Sequence, residues 1–240
     1  MDFTTLLGGL VMLLVFLKAI SGYTEIAYHS VLLGVVVLGG LSATLMACRG
    51  SELRTLLRLP FKALILQTPN VGDLVAHIVG YAETARREGI LALEQAVKTE
   101  KSPFAATGIR LAVDGTIPEL IQKIMQTELS GIEERHHRGS ELLKILAASW
   151  AGFGLIGALG VLALRSGYVG GSGVVEEAAL SLLYGAVLSG VTLALRSKLQ
   201  TISGLEVLYK RMIMEGISSI QSGDNPRIIE QKLNVFVAPA

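Results

Sequence analysis

Long stretches without a single charge constrain this chain more than any other feature. Residues 26–48, 145–164 and 178–195 contain no Asp, Glu, Lys or Arg, and residues 3–20 contain only Lys18. At about 1.5 Å of rise per helical residue, each stretch is close to the length that crosses a ~30 Å hydrocarbon layer. Ordinary soluble domains are about a quarter charged, whereas these 240 residues are 17% charged and 51% hydrophobic. We read an all-α membrane protein with four transmembrane helices in two hairpins, at approximately 3–20, 26–48, 145–164 and 178–195. A helical lobe, 49–144, separates spans two and three, and a helical tail, 196–240, follows span four. The whole, 1–240, is expected to be one membrane-integrated domain. A cleaved signal peptide is the competing reading of the first run. Asp2, the lack of a base before the apolar stretch and the missing small-residue cleavage site count against it.

The basic residues set an orientation. Residues 49–144 hold 13 Lys and Arg and residues 196–240 hold 6, while the connections 21–26 and 166–175 hold none. The positive-inside rule then puts the lobe, the tail and both termini in the cytoplasm and the two short connections outside. Lys18 and Arg165, near the ends of apolar runs, are expected to snorkel toward lipid headgroups. The one cysteine, Cys48, excludes an internal disulfide and reads as a small buried hydrophobe. A net charge of +1 gives no argument for nucleic acid.

Periodicity and breakers divide the remainder. Leu74, Val75, Ile78, Val79, Ala82 and Ala85 recur at helical spacing, with Asp73 in a first turn. Pro103 interrupts, and Thr116-Ile117-Pro118-Glu119 reads as a new start, with Thr116 as cap and Glu119 completing a capping box. From Pro118 nothing stronger than Gly131 and Gly139 interrupts before Gly167, so the third span is expected to be the end of one long helix. The fourth is expected to continue past Arg196 toward Ile220. Gly223-Asp224-Asn225-Pro226 reads as a stop followed by a capped start, with a short helix running to about Phe236.

The chemistry of catalysis is absent. There is no phosphate-binding glycine loop and no nucleophile constellation, so we expect no enzyme and no cofactor. The histidines are His29, His77, His136 and His137. The adjacent pair points about 100° apart on a helix, a poor metal clamp, and reads as a solvated face between Arg135 and Arg138. The apolar runs also lack the carboxylate that marks an ion pathway. Glu176 and Glu177 stand only at the outer mouth of the fourth. If ions flow, a partner chain must bring the acid.

Glycine is dense where helices should cross the bilayer. Gly152, Gly154, Gly157 and Gly160 fall on the third span, and Ser181, Gly185, Ser189 and Gly190 on the fourth. Each glycine costs a helix about 1 kcal/mol relative to alanine, but small residues let backbones approach closely in lipid. Two uses are open: packing of spans three and four within one chain, or an oligomer whose small-faced helices ring a central partner helix.

Three stretches carry a resemblance: ETARREGILALE (83–94), LAVDGTIPELIQKIMQTELSGIEERHHRG (111–139) and MEGISSIQSGDNPRIIEQKL (214–233). With the order of spans, the glycine-rich third span and VLGG at 37–40, they resemble the MotA/PomA family of flagellar stator subunits. The resemblance implies a homopentameric ring in the bacterial inner membrane, in contact with lipid, around two copies of a MotB-like single-span, peptidoglycan-binding partner. That partner would supply the ion-carrying aspartate, and ion flow would turn the ring against the rotor's switch ring. It also implies that Arg86 or Arg87, with Glu94, lie on the charged helix that meets the rotor. Read locally, Glu83/Arg87 and Glu94/Lys98 are four apart and could simply pair on a helix surface.

Departures from the family pattern matter as much. Where the family usually reads Pro-Ala-Phe-Gly, this chain has Ala151-Gly152-Phe153-Gly154, and Ala158 stands where a threonine is usual. Thr-Thr before Leu-Tyr-Gly becomes Ser181-Leu182 before Leu183-Tyr184-Gly185. Ala151, Gly154, Gly157, Ala158, Ser181, Leu182 and Tyr184 are thus the expected pore or partner-helix contacts. Sodium needs several oxygen ligands, and two hydroxyl positions now offer carbon, so the proton is the expected coupling ion. A MotA-like energiser of a non-flagellar machine and a non-conducting scaffold that keeps the ring are the alternatives.

Overall fold

A computed structural model describes residues 26–48, 71–100, 102–165 and 173–236. The expected first span, 3–20, and Lys18 lie outside the described residues, as does the side chain of Arg165. The described residues are helical and contain no strand. The order is α1 (Ile26–Ala47), α2 (Val71–Glu88), a 3-10 turn (Ile90–Ala92), α3 (Leu93–Thr99), α4 (Pro103–Val113), α5 (Pro118–Arg165), α6 (Val174–Gln221) and α7 (Pro226–Val235). Helix α1 covers the expected second span. The expected third and fourth spans are the C-terminal part of α5 and the N-terminal part of α6, and both helices are long and apolar enough to cross a membrane.

The chain divides into two compact units, each assembled from discontinuous segments. Among the described residues, the first takes α1 and the parts of α5 and α6 that fall within 137–200. The second takes α2 to α4, the start of α5 up to His136, the end of α6 from Thr201, and α7.

The second unit has an ordinary apolar core. Leu74, Val75, Ile78 and Ala82 of α2 meet Phe104, Ile109 and Ala112 of α4, and Ile121, Met125 and Leu129 of α5. Met212, Ile213 and Ile217 of α6 and Ile229 and Leu233 of α7 close it. Within each helix these positions fall three or four apart, the spacing of a single buried stripe. Burying a side chain of this size contributes about 1.5–3 kcal/mol. Gly216 admits Ile78, since a Cβ there would lie 2.5 Å from Ile78 Cγ2.

The helix stops follow from glycine and its neighbours. At the end of α4, Gly115 has φ +77°, its N–H donates to Ala112 O at 3.1 Å and Thr116 N–H donates to Leu111 O at 3.0 Å. At the end of α6, Gly223 repeats the arrangement: φ is +77°, Gly223 N–H donates to Ile220 O and Asp224 N–H to Ser219 O, both at 3.1 Å. This is the Schellman closure, which needs a left-handed residue that only glycine supplies cheaply. Asn225 then caps α7, its side-chain oxygen accepting from Arg227 N–H at 3.2 Å, with Pro226 at the first helical position.

The start of α5 differs from expectation by one residue. The helix begins at Pro118, and Ile117 O accepts from Leu120 and Ile121 N–H at 3.0 and 3.1 Å, so Ile117 rather than Thr116 occupies the cap position. Proline has a fixed φ and no N–H, which suits the first helical turn, and Thr116 N–H is already engaged in closing α4. His136 also departs from the expected solvated face. It is half-buried, with Nε2 3.6 Å from Glu206 Oε2, while Arg135, His137 and Arg138 are exposed.

Candidate functional site

In the first unit the small residues of α5 and α6 face each other. A Cβ on Gly154 would lie 2.9 Å from Gly185 Cα and 3.0 Å from Ser181 O; one on Gly185 would lie 2.8 Å from both Gly154 Cα and Trp150 O. The obstructing atoms are backbone and cannot swing away. Fully buried Ser181 donates its hydroxyl to Gly154 O at 3.0 Å. Gly157 faces the same serine, whose Oγ occupies the place a Cβ would take. Within the chain, then, Gly154, Gly157, Ser181 and Gly185 form a close helix crossing tied by one interhelical hydrogen bond, the first of the two uses open in the sequence. Gly152 and Gly160 have nothing within 4 Å of a would-be Cβ.

The other expected pore residues differ in burial. Ala158 is buried, and Tyr184, 1% exposed, packs with Leu32 and Val36 of α1. Ala151 and Leu182 are exposed. Helix α1 lies close to α5 where VLGG ends: Gly39 faces the Phe153 ring and Gly40 the Trp150 ring, so neither position has room for a side chain. Where the apolar stretch of α6 ends, Arg196 Nε donates to Ser140 O at 3.1 Å and its NH2 reaches Glu141 at 3.3 Å. Half-buried Cys48 packs with Leu142, Leu143, Leu146 and Leu199.

The second unit carries the charged face. Arg86 and Arg87 occupy the last turn of α2, where positive charge complements the helix dipole, and both are exposed. Arg87 reaches Glu83 at 3.6 Å, one of the two local pairs the spacing offers. Such exposed pairs contribute about 0–1 kcal/mol. Glu94 sits in the first turn of α3, exposed, and among the described residues no ion pair joins it to Lys98.

Two features of this face are not evident from its sequence. Arg86 and Arg87 share an open groove with Arg227 and Glu230 of α7. The groove exists because Ile229 and Leu233 turn into the core and leave the intervening charges outside. GDNPRIIEQKL signals a helix start but not which helix it packs against. The second feature is Glu100, whose side chain is only 8% exposed. Its Oε2 accepts from Tyr81 Oη at 2.7 Å and its Oε1 from Ser102 N–H at 2.9 Å. Burial first, and then the bond to Glu100, pushes the Tyr81 hydroxyl well above the usual tyrosine range, so the phenol stays a donor. Nothing in the local sequence separates Glu100 from the exposed acids around it.

Residues 96–164 match the MotA/TolQ/ExbB proton channel family. Motility protein A of Borreliella burgdorferi is 39% identical over 172 residues, 70% of this chain and 66% of that protein. Chemotaxis protein PomA of Vibrio alginolyticus is 30% identical over 248 aligned positions, 99% of this chain and 96% of that protein. The structure of the flagellar MotAB stator complex from Bacillus subtilis shares the fold, with a TM-score of 0.87 over 99% of this chain and 96% of that chain at 24% identity. By its likeness to PomA along nearly its whole length, this chain belongs to the MotA/PomA family of stator subunits.

Proposed function

We propose that this chain is the ring-forming subunit of a proton-driven flagellar stator in the bacterial inner membrane. One observation carries the reading beyond family membership. Helices α5 and α6 each have 48 residues, about 72 Å at helical rise, more than twice the ~30 Å of hydrocarbon. Each therefore links an apolar part to a polar part without a break. The polar parts of both helices belong to the second unit, whose α2 and α3 present Arg86, Arg87 and Glu94 to solvent.

The remaining elements follow from chemistry. Four spans with both termini inside agree with the distribution of basic residues, and α1 agrees with the second span. The chain works as one domain because both long helices contribute to both units. The charge-free runs at 145–164 and 178–195 leave the ion-carrying acid to a MotB-like, single-span, peptidoglycan-binding partner, and a pentamer around two such helices is the expected assembly. Ala158 and Leu182 offer no oxygen, which favours protons over sodium. Electrostatic contacts at the charged face suit rapid, repeated engagement of the rotor's switch ring.

The test is proton uptake by vesicles that contain this chain and its partner, together with swimming of cells that carry the Arg86→Ala, Arg87→Ala, Glu94→Ala triple variant. Uptake unaffected by replacing sodium, with a triple variant that assembles but does not swim, is the expected result. An assembled complex that passes no protons would leave a scaffold. Normal swimming of the triple variant would remove the rotor assignment.

A further inference from the structure

Helix α3 is weakly anchored for an element that carries a rotor-facing charge. It has seven residues, too few to persist alone. Only Leu93, at its start, is fully buried, and Val97 adds a partly buried contact. Glu94, Gln95, Lys98 and Thr99 are exposed. A turn at Gly89 and the 3-10 segment Ile90–Ala92 separate it from α2, so the connection alone does not set its direction. What holds its far end is Glu100, the C-cap residue.

We propose that Glu100 is a positioning residue, pinning the C-terminal end of α3 to the middle of α2 and so fixing Glu94 relative to Arg86 and Arg87. The proposal rests on the reading that these three charges meet the rotor. The carboxylate makes two strong contacts in different directions. Tyr81 Oη, from α2, donates to one oxygen, and Ser102 N–H, at the entry to α4, donates to the other. His77, one turn before Tyr81, stacks on the tyrosine with ring centroids 4.7 Å apart and brings Nδ1 within 3.9 Å of the same oxygen. A buried carboxylate is costly unless its oxygens are hydrogen-bonded. Here the bonds are charge-assisted, and they tie the end of α3 to α2 and to the entry of α4, two helices that the core holds firmly. The charge also acts on Tyr209, whose hydroxyl is raised first by burial and then by Glu100.

The test uses the full chain purified with its partner, and reads hydrogen exchange alongside single-motor torque. Glu100→Ala should speed amide exchange across α3 about tenfold, the loss expected for a charge-assisted bond, and Tyr81→Phe should act in the same direction. Exchange in α7 should not change. Both variants should reach the membrane in normal amount and lose torque, while Glu100→Gln, which keeps the shape and one acceptor oxygen but not the charge, should restore both readouts in part. Unchanged exchange in α3 for Glu100→Ala and Tyr81→Phe would overturn the pinning. Faster exchange with full torque would overturn the positioning role. Normal swimming of the Arg86, Arg87, Glu94 triple variant would instead overturn the rotor reading beneath it, and leaves the exchange result to stand or fall separately.

Discussion

Gly154→Ala probes the crossing of α5 and α6 most directly. The added Cβ would lie 2.9 Å from Gly185 Cα and 3.0 Å from Ser181 O. Carbon atoms rest at about 3.5–4.0 Å, so the helices must part by about 0.6–1.1 Å. The Ser181 hydroxyl starts 3.0 Å from Gly154 O, and that displacement stretches it past about 3.5 Å, where it no longer counts as a hydrogen bond. Overpacking costs about 1–3 kcal/mol, and a lost interhelical bond in a membrane adds about 0.6, at most about 1.7 kcal/mol. Alanine's better helix propensity returns up to about 1 kcal/mol. The net expectation is a destabilisation of about 1–4 kcal/mol. Denaturant titration in detergent can read it through Trp150, this chain's one tryptophan, which lies at the crossing. Gly160→Ala is the control, because nothing lies within 4 Å of its added Cβ, and it should be neutral or slightly stabilising. Ser181→Ala should cost only the bond. If Gly154→Ala unfolds at the wild-type denaturant concentration, or Gly160→Ala is equally harmful, the close crossing is not a feature of the folded chain.

The turn from α6 into α7 gives two further tests. Lys232 Nζ donates to Asp224 Oδ2 at 2.8 Å, which holds the Asp224 carboxyl below its usual 3.8 and raises Lys232 above its usual 10.5. A depressed carboxylate stabilises the fold fully above pH 3.8 and loses that contribution as pH falls through its lower folded value. A raised lysine contributes fully below pH 10.5 and loses it as pH rises through its higher folded value. Thermal melts should therefore separate Asp224→Asn from wild type between pH 3.8 and 10.5 and converge in strong acid; a constant difference at every pH would argue against the ion pair. Glycine substitutions should change sign with backbone conformation. Gly223→Ala, at φ +77°, should cost about 1–2 kcal/mol, whereas Gly80→Ala, inside α2 with open space around it, should gain about 1 kcal/mol. Melting shifts in the same direction for both would contradict the assigned turn.

Much of the helical layout is legible in the residues. The stop at Gly223-Asp224 and the start at Asn225-Pro226 are local chemistry, complete within six residues. The length of α5 follows from the lack of a breaker between Pro118 and Arg165. The cap of that helix lies one residue past Thr116, the better capping side chain, because Pro118 and the competing closure of α4 decide the geometry. His136 leaves the solvated face that Arg135 and Arg138 occupy because it turns toward Glu206, distant in the chain.

Sequence alone determined where the two long helices run and where α6 stops and α7 starts, and which stretches are free of charge. These are consequences of a 3.6-residue period and of the special backbones of glycine and proline. Tertiary structure decided which faces meet. Gly154 and Gly152 are equally small, but only Gly154 stands against Ser181 and Gly185. Glu94 and Glu100 are equally acidic, but only Glu100 is drawn beneath Tyr81. Periodicity ranks residues around one helix axis and carries no information about the neighbour across it; that choice belongs to packing between segments far apart in the chain.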